Sequence, residues 1–282
     1  GSIQMVVNWL KQTKIEEMKP NATPNMHGTP HFEVGFAGSD VEVRAAQHLR
    51  YQVFVKEMGA SGPLVDHDQQ LERDRFDPHA QHLLLRDKAR ADGDQVVGVY
   101  RVMTEDMAAD AGQFCCEDEY DLTALRNSSL RLLELGRSCL HRDYRGGPGM
   151  LHLWAALSDY VAEHAIDILF GVASFHGTDV TTNKQSLSLL HHRYLAPEEL
   201  RVKAKGPNAQ PTDILPEEQI DRVVAVREMP ALIKGYLRLG GTVGEGVFVD
   251  HAFNTTDICM ILQKDAIGAL HKAIYTKGGA RG

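Results

Sequence analysis

The sequence predicts an α/β or α+β fold in which one mixed central sheet is flanked by helices. Three observations support this prediction. Patterns typical of strands and of helices alternate through the middle of the chain. The apolar run at residues 95–103 is typical of a central strand that is covered on both faces. Residues 150–165 carry an amphipathic pattern, which predicts a helix with one buried face.

The predicted strands are short apolar stretches bounded by turn-forming or charged residues. They lie at 31–37, 82–86, 95–103, 130–140, 168–173 and 257–262. Helices are predicted where apolar residues recur at intervals of three and four. They lie at 41–58, 150–165, 179–193 and 230–239. A loop rich in acidic residues connects the first helix to the second strand. We predict a flexible leader at 1–30, a single domain over 31–275 and a flexible tail at 276–282.

The composition excludes several classes of function. The chain of 282 residues is 43% hydrophobic and 24% charged, which is ordinary for a globular protein with a buried core. Its net charge of −8 argues against nucleic acid as a partner, because non-specific binding needs a basic surface. The four cysteines lack C-x-x-C spacing, so we predict neither a disulfide framework nor a zinc site, and a reducing cytoplasm fits best. No apolar run approaches the roughly 18 residues that a membrane span requires.

The stretch 132–137 places Glu134 and Arg137 on either side of Gly136 in an apolar run. Ionisable pairs in apolar strands are seldom there for packing alone. Their odd spacing sends the two side chains to opposite faces of a regular strand, so we predict a bulge at Gly136 that turns both toward one cleft. Such a bulge would also free a backbone N–H for an oxyanion. One alternative is a structural ion pair. Another is that the segment is helical, since a spacing of three residues also brings two side chains together on a helix.

Four pairs of residues follow one another along the chain at moderate separations. They are Arg50 and Phe54, Asp74 and Asp77, Gly98 and Arg101, and Glu134 and Arg137. Individually each charge is more often solvated or a helix cap, and Arg50 alone could be an exposed residue above a core Phe54. As a series, however, they resemble the acyl-homoserine lactone synthases, which are relatives of the GCN5-related N-acetyltransferase (GNAT) fold.

A closer resemblance covers about residues 31–265. It is to the bacterial ornithine Nα-acyltransferases, the haemolysin-like acyltransferases that make lyso-ornithine lipid. The stretches that carry it are 133–153, 171–179, 194–197 and 234–240. The resemblance implies a GNAT fold and an enzyme that moves a 3-hydroxyacyl group from acyl carrier protein to the α-amine of an amino acid. It also implies that no metal and no separate cofactor is needed, since the carrier supplies the acyl-phosphopantetheine.

Several residues have roles implied by this chemistry. A protonated α-amine must lose a proton before it attacks a thioester. A buried carboxylate such as Glu134 suits the role of general base, directly or through a water, because burial makes a carboxylate more basic. Arg101 or Arg137 could hold the substrate carboxylate bidentately. Two sets of residues complete the predicted substrate site: Arg50, Phe54, Asp74 and Asp77 as a mobile wall of the cleft, and Ser174 near the pantetheine arm.

The turn after this strand is predicted to meet the carrier. Arg142, Arg145, Gly146 and Gly147 precede a helix start, where backbone N–H groups favour a phosphate. The turn departs from the acetyltransferase pattern because Pro148 and Met150 occupy places where glycine and a small residue are expected. A single phosphopantetheine phosphate fits this turn better than a tightly held pyrophosphate, and a plain loop with surface arginines is the alternative. Because carriers are acidic, docking needs local basic residues. The candidates are Arg142, Arg145, Lys184, Arg193, Lys203 and Lys205.

Four alternative functions remain open at this point. The acceptor could be glutamine in place of ornithine, or the enzyme could make a homoserine lactone. The protein could instead be a carrier-binding module without activity. His82 and Asp87 match the H-x-x-x-x-D spacing of glycerolipid acyltransferases, but no Glu-Gly-Thr-Arg block follows. We expect a cytoplasmic protein, with peripheral contact with the inner membrane left open because the product is a lipid.

Overall fold

The computed structural model describes residues 29–279, with side chains up to Lys272. Residues 1–28 of the predicted leader and residues 280–282 of the predicted tail lie outside this range. The strands are β1 (Phe32–Phe36), β2 (Gln81–Asp87), β3 (Val96–Thr104), β4 (Tyr120–Asp121), β5 (Leu132–Leu140), β6 (Ile168–His176), β7 (Lys203–Ala204), β8 (Ala209–Gln210), β9 (Thr242–Val243), β10 (Val247–Asp250) and β11 (Thr255–Gln263). The α-helices are α1 (Asp40–Arg50), α2 (Glu105–Ala111), α3 (Thr123–Arg126), α4 (Gly149–Glu163), α5 (Lys184–Tyr194), α6 (Arg222–Glu228), α7 (Ala231–Arg238) and α8 (Lys264–Gly279).

The predicted α/β class with a mixed sheet flanked by helices is confirmed. The first predicted helix, 41–58, is divided in the structure. Ser39 caps α1, because its Oγ accepts a hydrogen bond from the N–H of Glu42 at 3.3 Å. After Arg50 the chain continues as a π-helix over Tyr51–Glu57, a wide turn that is frequent at functional sites. The wide turn therefore begins immediately after a predicted site residue.

The contacts within the chain define two compact units, and the boundary passes through β5. The first unit contains residues 29–103, 135–164 and 268–279 of the described range. Its strands follow the order β1-β2-β3-β5, and both β1 and β3 are antiparallel to β2. The predicted single domain over 31–275 stays a prediction.

Helix α4 packs against β1 and β2 in the first unit. Gly98 on β3 makes close packing possible, since a Cβ at this position would meet Leu140 Cδ2 at 2.9 Å and Leu153 Cδ1 at 3.1 Å. Any side chain there would push the helix and the neighbouring strand away from β3. This glycine, which carried part of the family resemblance, therefore has a packing role.

The second unit contains residues 104–134 and 165–267. Its strand order is β5-β6-β11-β10-β8, with β9 paired to β11 and a separate β4–β7 pair. Strand β6 runs parallel to β5 over residues 132–134 and antiparallel to β11 along its whole length. Several elements of this unit were not predicted from the sequence. Among them are the 3-10 helix Cys115–Asp118, the helices α2, α3 and α6, and the strands β4, β7, β8, β9 and β10.

The cysteines are all free thiols, in agreement with the prediction of no disulfides. Cys116, Cys139 and Cys259 are buried, whereas Cys115 is partly exposed. Within residues 29–279, no helix has both the length and the apolar composition that crossing a membrane would require.

Candidate active site

A buried network of charged side chains lies in the first unit and contains five of the predicted residues. Arg50, on the last turn of α1, is completely buried. Its Nε donates to Glu72 Oε1 at 3.0 Å. Its two terminal nitrogens donate to the two oxygens of Asp77 at 2.8 and 3.1 Å, which is the bidentate geometry of a strong charge-assisted pair. The alternative of an exposed Arg50 is therefore wrong.

Arg101 lies on β3 and links the two predicted aspartates. Its Nη1 donates to Asp74 Oδ1 at 2.7 Å and to Asp77 Oδ1 at 2.8 Å. Gln47, one helical turn before Arg50, donates to the other oxygen of Asp77 at 3.0 Å. The Asp-x-x-Asp spacing thus places both carboxylates against one guanidinium.

Arg137 completes the network from β5. Its Nε donates to Glu72 Oε1 at 2.8 Å and its Nη2 donates to Asp74 Oδ2 at 2.9 Å. The predicted break in β5 is present, but it lies at Arg137, whose φ is +51°, and not at Gly136. A left-handed conformation at a non-glycine residue is strained, and the two ion pairs offset that strain. At 17% side-chain exposure, Arg137 is more accessible than Arg101 at 2%.

Glu72 was missed by the sequence reasoning, although it lies only two residues before Asp74 in the acidic loop. It is 1% exposed and contacts both Arg50 and Arg137. With Glu72 included, three arginines meet three carboxylates, so the network is electrically balanced.

Burial opposes ionisation of Asp77, but the guanidiniums of Arg50 and Arg101 outweigh it and hold the Asp77 pKa well below its usual value of 3.8. For Glu72, burial is likewise outweighed by Arg137 and Arg50, which lower its pKa. Both carboxylates are therefore ionised in the folded protein at neutral pH.

The depressed pKa values predict how stability depends on pH. A carboxylate whose pKa is lower in the folded state stabilises the protein fully above its unfolded pKa, and this contribution is lost as the pH falls through the folded value. We therefore expect the free energy of unfolding in urea to decrease as the pH is lowered below about 4. The difference between wild type and Asp77→Asn should shrink over the same range. A difference that stays constant from pH 6 to pH 3 would contradict this assignment.

Two other predicted features of the first unit have clear structural roles. Phe54 is partly buried and packs against the core cluster that contains Leu49, Leu84 and Val99. The His82–Asp87 pair of the glycerolipid alternative does not exist, because His82 Nε2 contacts the carbonyl of Asp77 at 3.0 Å. Asp87 instead accepts hydrogen bonds from the N–H groups of His31 and Ala89.

The turn between β5 and α4 is the predicted phosphate site. Arg142 is exposed, and within the described residues it makes no ion pair. Arg145 is paired with Glu57, with Nη1 2.8 Å from Glu57 Oε2. Gly146 has a φ of +77°, which a side chain would disfavour, and Gly147 follows it in the turn. Helix α4 begins after Pro148 without a side-chain cap, so its first N–H groups are available to an anion.

Glu134 lies in the second unit and is 4% exposed. Its oxygens accept hydrogen bonds from the N–H of Cys115 at 2.9 Å and of Cys116 at 2.8 Å. These N–H groups begin the 3-10 helix Cys115–Asp118, so the carboxylate both caps that helix and is held in one orientation. A carboxylate has about four lone-pair positions, which leaves capacity for a further partner.

Ser174 projects from β6 beside an acidic residue. Its Oγ donates to Asp257 Oδ1 at 2.6 Å, and Asp257 faces it directly across the β6–β11 pair. Asp257, Asp250 and Glu119 were not singled out from the sequence, because Glu119 is distant along the chain from the paired strands β10 and β11 that carry the two aspartates. On the docking surface predicted for the carrier, Arg193 is paired with Glu217 at 2.5 Å and Lys203 with Glu245 at 3.8 Å.

Comparison with known proteins gives consistent results. Residues 49–155 match the family described as Acetyltransferase (GNAT) domain. An L-ornithine Nα-acyltransferase from Rhodobacter capsulatus is 54% identical over 248 residues, covering 87% of this chain and 95% of that protein. The enzyme of the same name from Brucella abortus is 41% identical and covers 86% and 88%. A solved CoA-dependent acyl-homoserine lactone synthase has a TM-score of 0.47 at 14% identity, covering 86% of this chain and 90% of that one.

The similarity to the two enzymes extends over nearly their whole length and well beyond the matched GNAT region. With 248 residues aligned, it includes parts of both compact units. The chain is an acyltransferase that belongs to the L-ornithine Nα-acyltransferase family.

Proposed function

We propose that this enzyme transfers a 3-hydroxy fatty acyl group from acyl carrier protein to the α-amine of ornithine, and that the product is a lyso-aminolipid. The observation that carries the proposal is the 54% identity, over 95% of its length, to an enzyme named for acylation of ornithine at this nitrogen. The buried, oriented carboxylate of Glu134 supports the chemistry, because the acceptor amine must lose a proton.

In the proposed reaction, Glu134 accepts a proton from the α-ammonium group, directly or through one water. The free amine then attacks the thioester carbon, the new C–N bond forms and the C–S bond breaks. A backbone N–H stabilises the oxyanion meanwhile. The proton that remains in excess on the nitrogen passes to the departing thiolate of the phosphopantetheine arm. No redox or metal step is required, and the arm belongs to the carrier substrate.

The remaining predicted residues have binding roles in this proposal. Arg137, the more accessible of the two candidate arginines, would share its guanidinium between the network and the ornithine carboxylate. Arg50, Asp74, Asp77 and Arg101 would hold Arg137 in place. Ser174 would line the acceptor side, and Phe54 would support the wall from the core.

The deciding experiment incubates the purified protein with 3-hydroxyacyl carrier protein and one amino acid at a time. We expect mass spectrometry to detect N-acylated ornithine as the main product. If N-acylated glutamine is the main product instead, the acceptor is glutamine and not ornithine. Binding of the carrier with no product from any amino acid would leave only the carrier-binding function.

A charge reversal at the predicted phosphate turn tests carrier recognition. We expect Arg142→Glu to raise the apparent KM for the acyl carrier about tenfold, with little effect on the KM for ornithine, because one charge-assisted contact is lost. Combining Arg142→Glu with Arg145→Glu should raise the KM for the acyl carrier further. The double variant should also show a weaker dependence of this KM on salt concentration. Arg44→Glu, an exposed position on α1, is the matched control and should leave both constants unchanged. Equal increases in both KM values for Arg142→Glu would show that the carrier does not dock at this turn.

A further inference from the structure

Three carboxylates converge in the second unit, outside the catalytic roles proposed so far. Glu119 precedes β4, Asp250 ends β10 and Asp257 lies on β11. One oxygen from each lies within 4.8 Å of the other two. Tyr120 fixes this arrangement, because its buried hydroxyl donates to the backbone carbonyls of Gly246 at 2.7 Å and Asp257 at 3.0 Å. We call these three carboxylates the acidic trio.

Glu119 contributes to the acidic trio a buried oxygen that has no hydrogen-bond donor among the described residues. Asp257 Oδ1 accepts from the hydroxyls of Ser174 and Thr255, and Asp250 Oδ1 accepts from the N–H of Phe253. Glu119 Oε1, by contrast, is a buried atom with no hydrogen-bond donor among the described residues. A buried acceptor without a donor is costly, so a native protein usually supplies one, from the chain, a water or a ligand.

The electrostatic surroundings of Glu119 are negative. Burial raises the pKa of Glu119 well above its usual value, and the negative charges of Asp257 and Asp250 raise it further. Between residues 29 and 272, where side chains are described, no lysine or arginine forms an ion pair with Glu119 or Asp257. This contrasts with the balanced network around Arg50. A hydrogen-bond donor that also carries positive charge would satisfy Glu119 Oε1 and offset the negative charge around it.

We propose that the acidic trio binds the side-chain ammonium of the acceptor amino acid and thereby selects a diamino acid over a neutral one. This inference rests on the proposed function, in which the acceptor is ornithine. An ammonium group has three N–H donors, one for each carboxylate. Because the three oxygens lie within 4.8 Å of one another, one nitrogen atom can be placed about 2.8 Å from all three. This is the usual length of an N⁺–H···O⁻ hydrogen bond.

The proposal gives Ser174 a definite role. Its hydroxyl and that of Thr255 both donate to Asp257 Oδ1, which orients the carboxylate. Ser174 is thus a positioning residue for acceptor recognition. Glu134 has a similar indirect effect, because the 3-10 helix that it caps leads directly into Glu119. The terminal amide of glutamine carries no charge and cannot replace the ammonium among three carboxylates.

The test compares ornithine with 2-aminopentanoate, which has the same carbon chain and lacks only the terminal amine. In the wild type we expect kcat/KM to be about 10- to 100-fold higher for ornithine, mostly through KM, because a charged hydrogen-bonding group is lost. In Glu119→Gln this preference should fall to within about threefold, because kcat/KM for ornithine decreases. Comparing both proteins with both substrates isolates the contribution of the contact between Glu119 and the terminal ammonium.

Several controls make the outcome decisive. Glu199→Gln changes an exposed carboxyl in the same unit and should retain the wild-type preference. Asp250→Asn should reduce the preference as Glu119→Gln does, and thermal melting identifies a variant that fails to fold. Chelation with EDTA followed by Mg²⁺ addition should leave the preference unchanged; a preference that depends on Mg²⁺ would assign the acidic trio to a metal instead. Equal use of the two substrates by the wild type would overturn the proposal.

Failure of the proposed function can be distinguished from failure of this inference. If no acylated product forms with either substrate, titration calorimetry measures the binding of ornithine alone to the wild type and to Glu119→Gln. Binding that is at least tenfold weaker in the variant would support the acidic trio as an ammonium site even without turnover. Equal binding, or no binding to either protein, would refute it. Normal turnover of ornithine with unchanged KM in Glu119→Gln would refute the inference and leave the proposed function intact.

Discussion

Asp77→Asn is expected to lower the free energy of unfolding by about 3–5 kcal/mol, because it removes one partner of a buried charge network. Asp77 is 5% exposed and accepts hydrogen bonds from Arg50, Arg101 and Gln47. An asparagine leaves two buried guanidiniums short of negative charge, and its NH₂ group faces donors that need an acceptor. The measurement is the shift of the urea unfolding midpoint at constant slope.

Asp68→Asn is the matched control, since Asp68 is an exposed aspartate of the same loop. It should change stability by no more than about 0.5 kcal/mol. A similarly small effect of Asp77→Asn would mean that the network contributes little to stability. Activity provides a second measurement, because a displaced Arg137 should raise the KM for the amino acid more than it lowers kcat.

Glu134→Gln is expected to lower kcat by about 10²-fold or more if Glu134 is the general base. A glutamine keeps the size of the side chain but cannot accept the proton. The decrease should be largest at neutral pH and should become smaller as the pH rises, since an amine that is already deprotonated needs no base. Measuring kcat for both proteins from pH 6.5 to 10 checks this convergence.

The structure also requires a control for the capping role of Glu134. Glutamine has one carbonyl oxygen for the N–H groups of Cys115 and Cys116, so the variant loses at least one of two hydrogen bonds. A purely structural loss would lower the rate by the same factor at every pH and would shift the melting temperature. A near-normal rate for Glu134→Gln at neutral pH would reject the base role.

The fold was predictable where hydrophobic periodicity is strong. The strands at β1, β2, β3, β5, β6 and β11 and the helices at α1, α4, α5 and α7 all begin within two or three residues of their predicted positions, apart from α5, which a 3-10 turn precedes. The short strands β7 and β8 have two residues each, too few to show alternation. Tertiary pairing, and not local sequence, stabilises such elements.

The residues singled out as substrate-binding from their order and spacing lie together in one network of the first unit: Arg50, Asp74, Asp77, Arg101 and Arg137. Their role in binding substrate stays a prediction. The acidic trio was not predictable, since Glu119, Asp250 and Asp257 are brought together only by the pairing of strands. Single-sequence reasoning identifies residues that lie close together in a motif, and it misses those that meet only through the topology.

The distribution of thiols has a practical consequence for observing this enzyme at work. Burial raises the pKa of Cys139 to about 12 and that of Cys116 well above its usual value, so both resist alkylation at neutral pH. Cys259 is buried as well, whereas Cys115 is partly exposed. A maleimide fluorophore should consequently attach to the native protein at Cys115. The backbone N–H of this residue donates a hydrogen bond to Glu134. The emission of the fluorophore would then report on the surroundings of that carboxylate as substrates arrive.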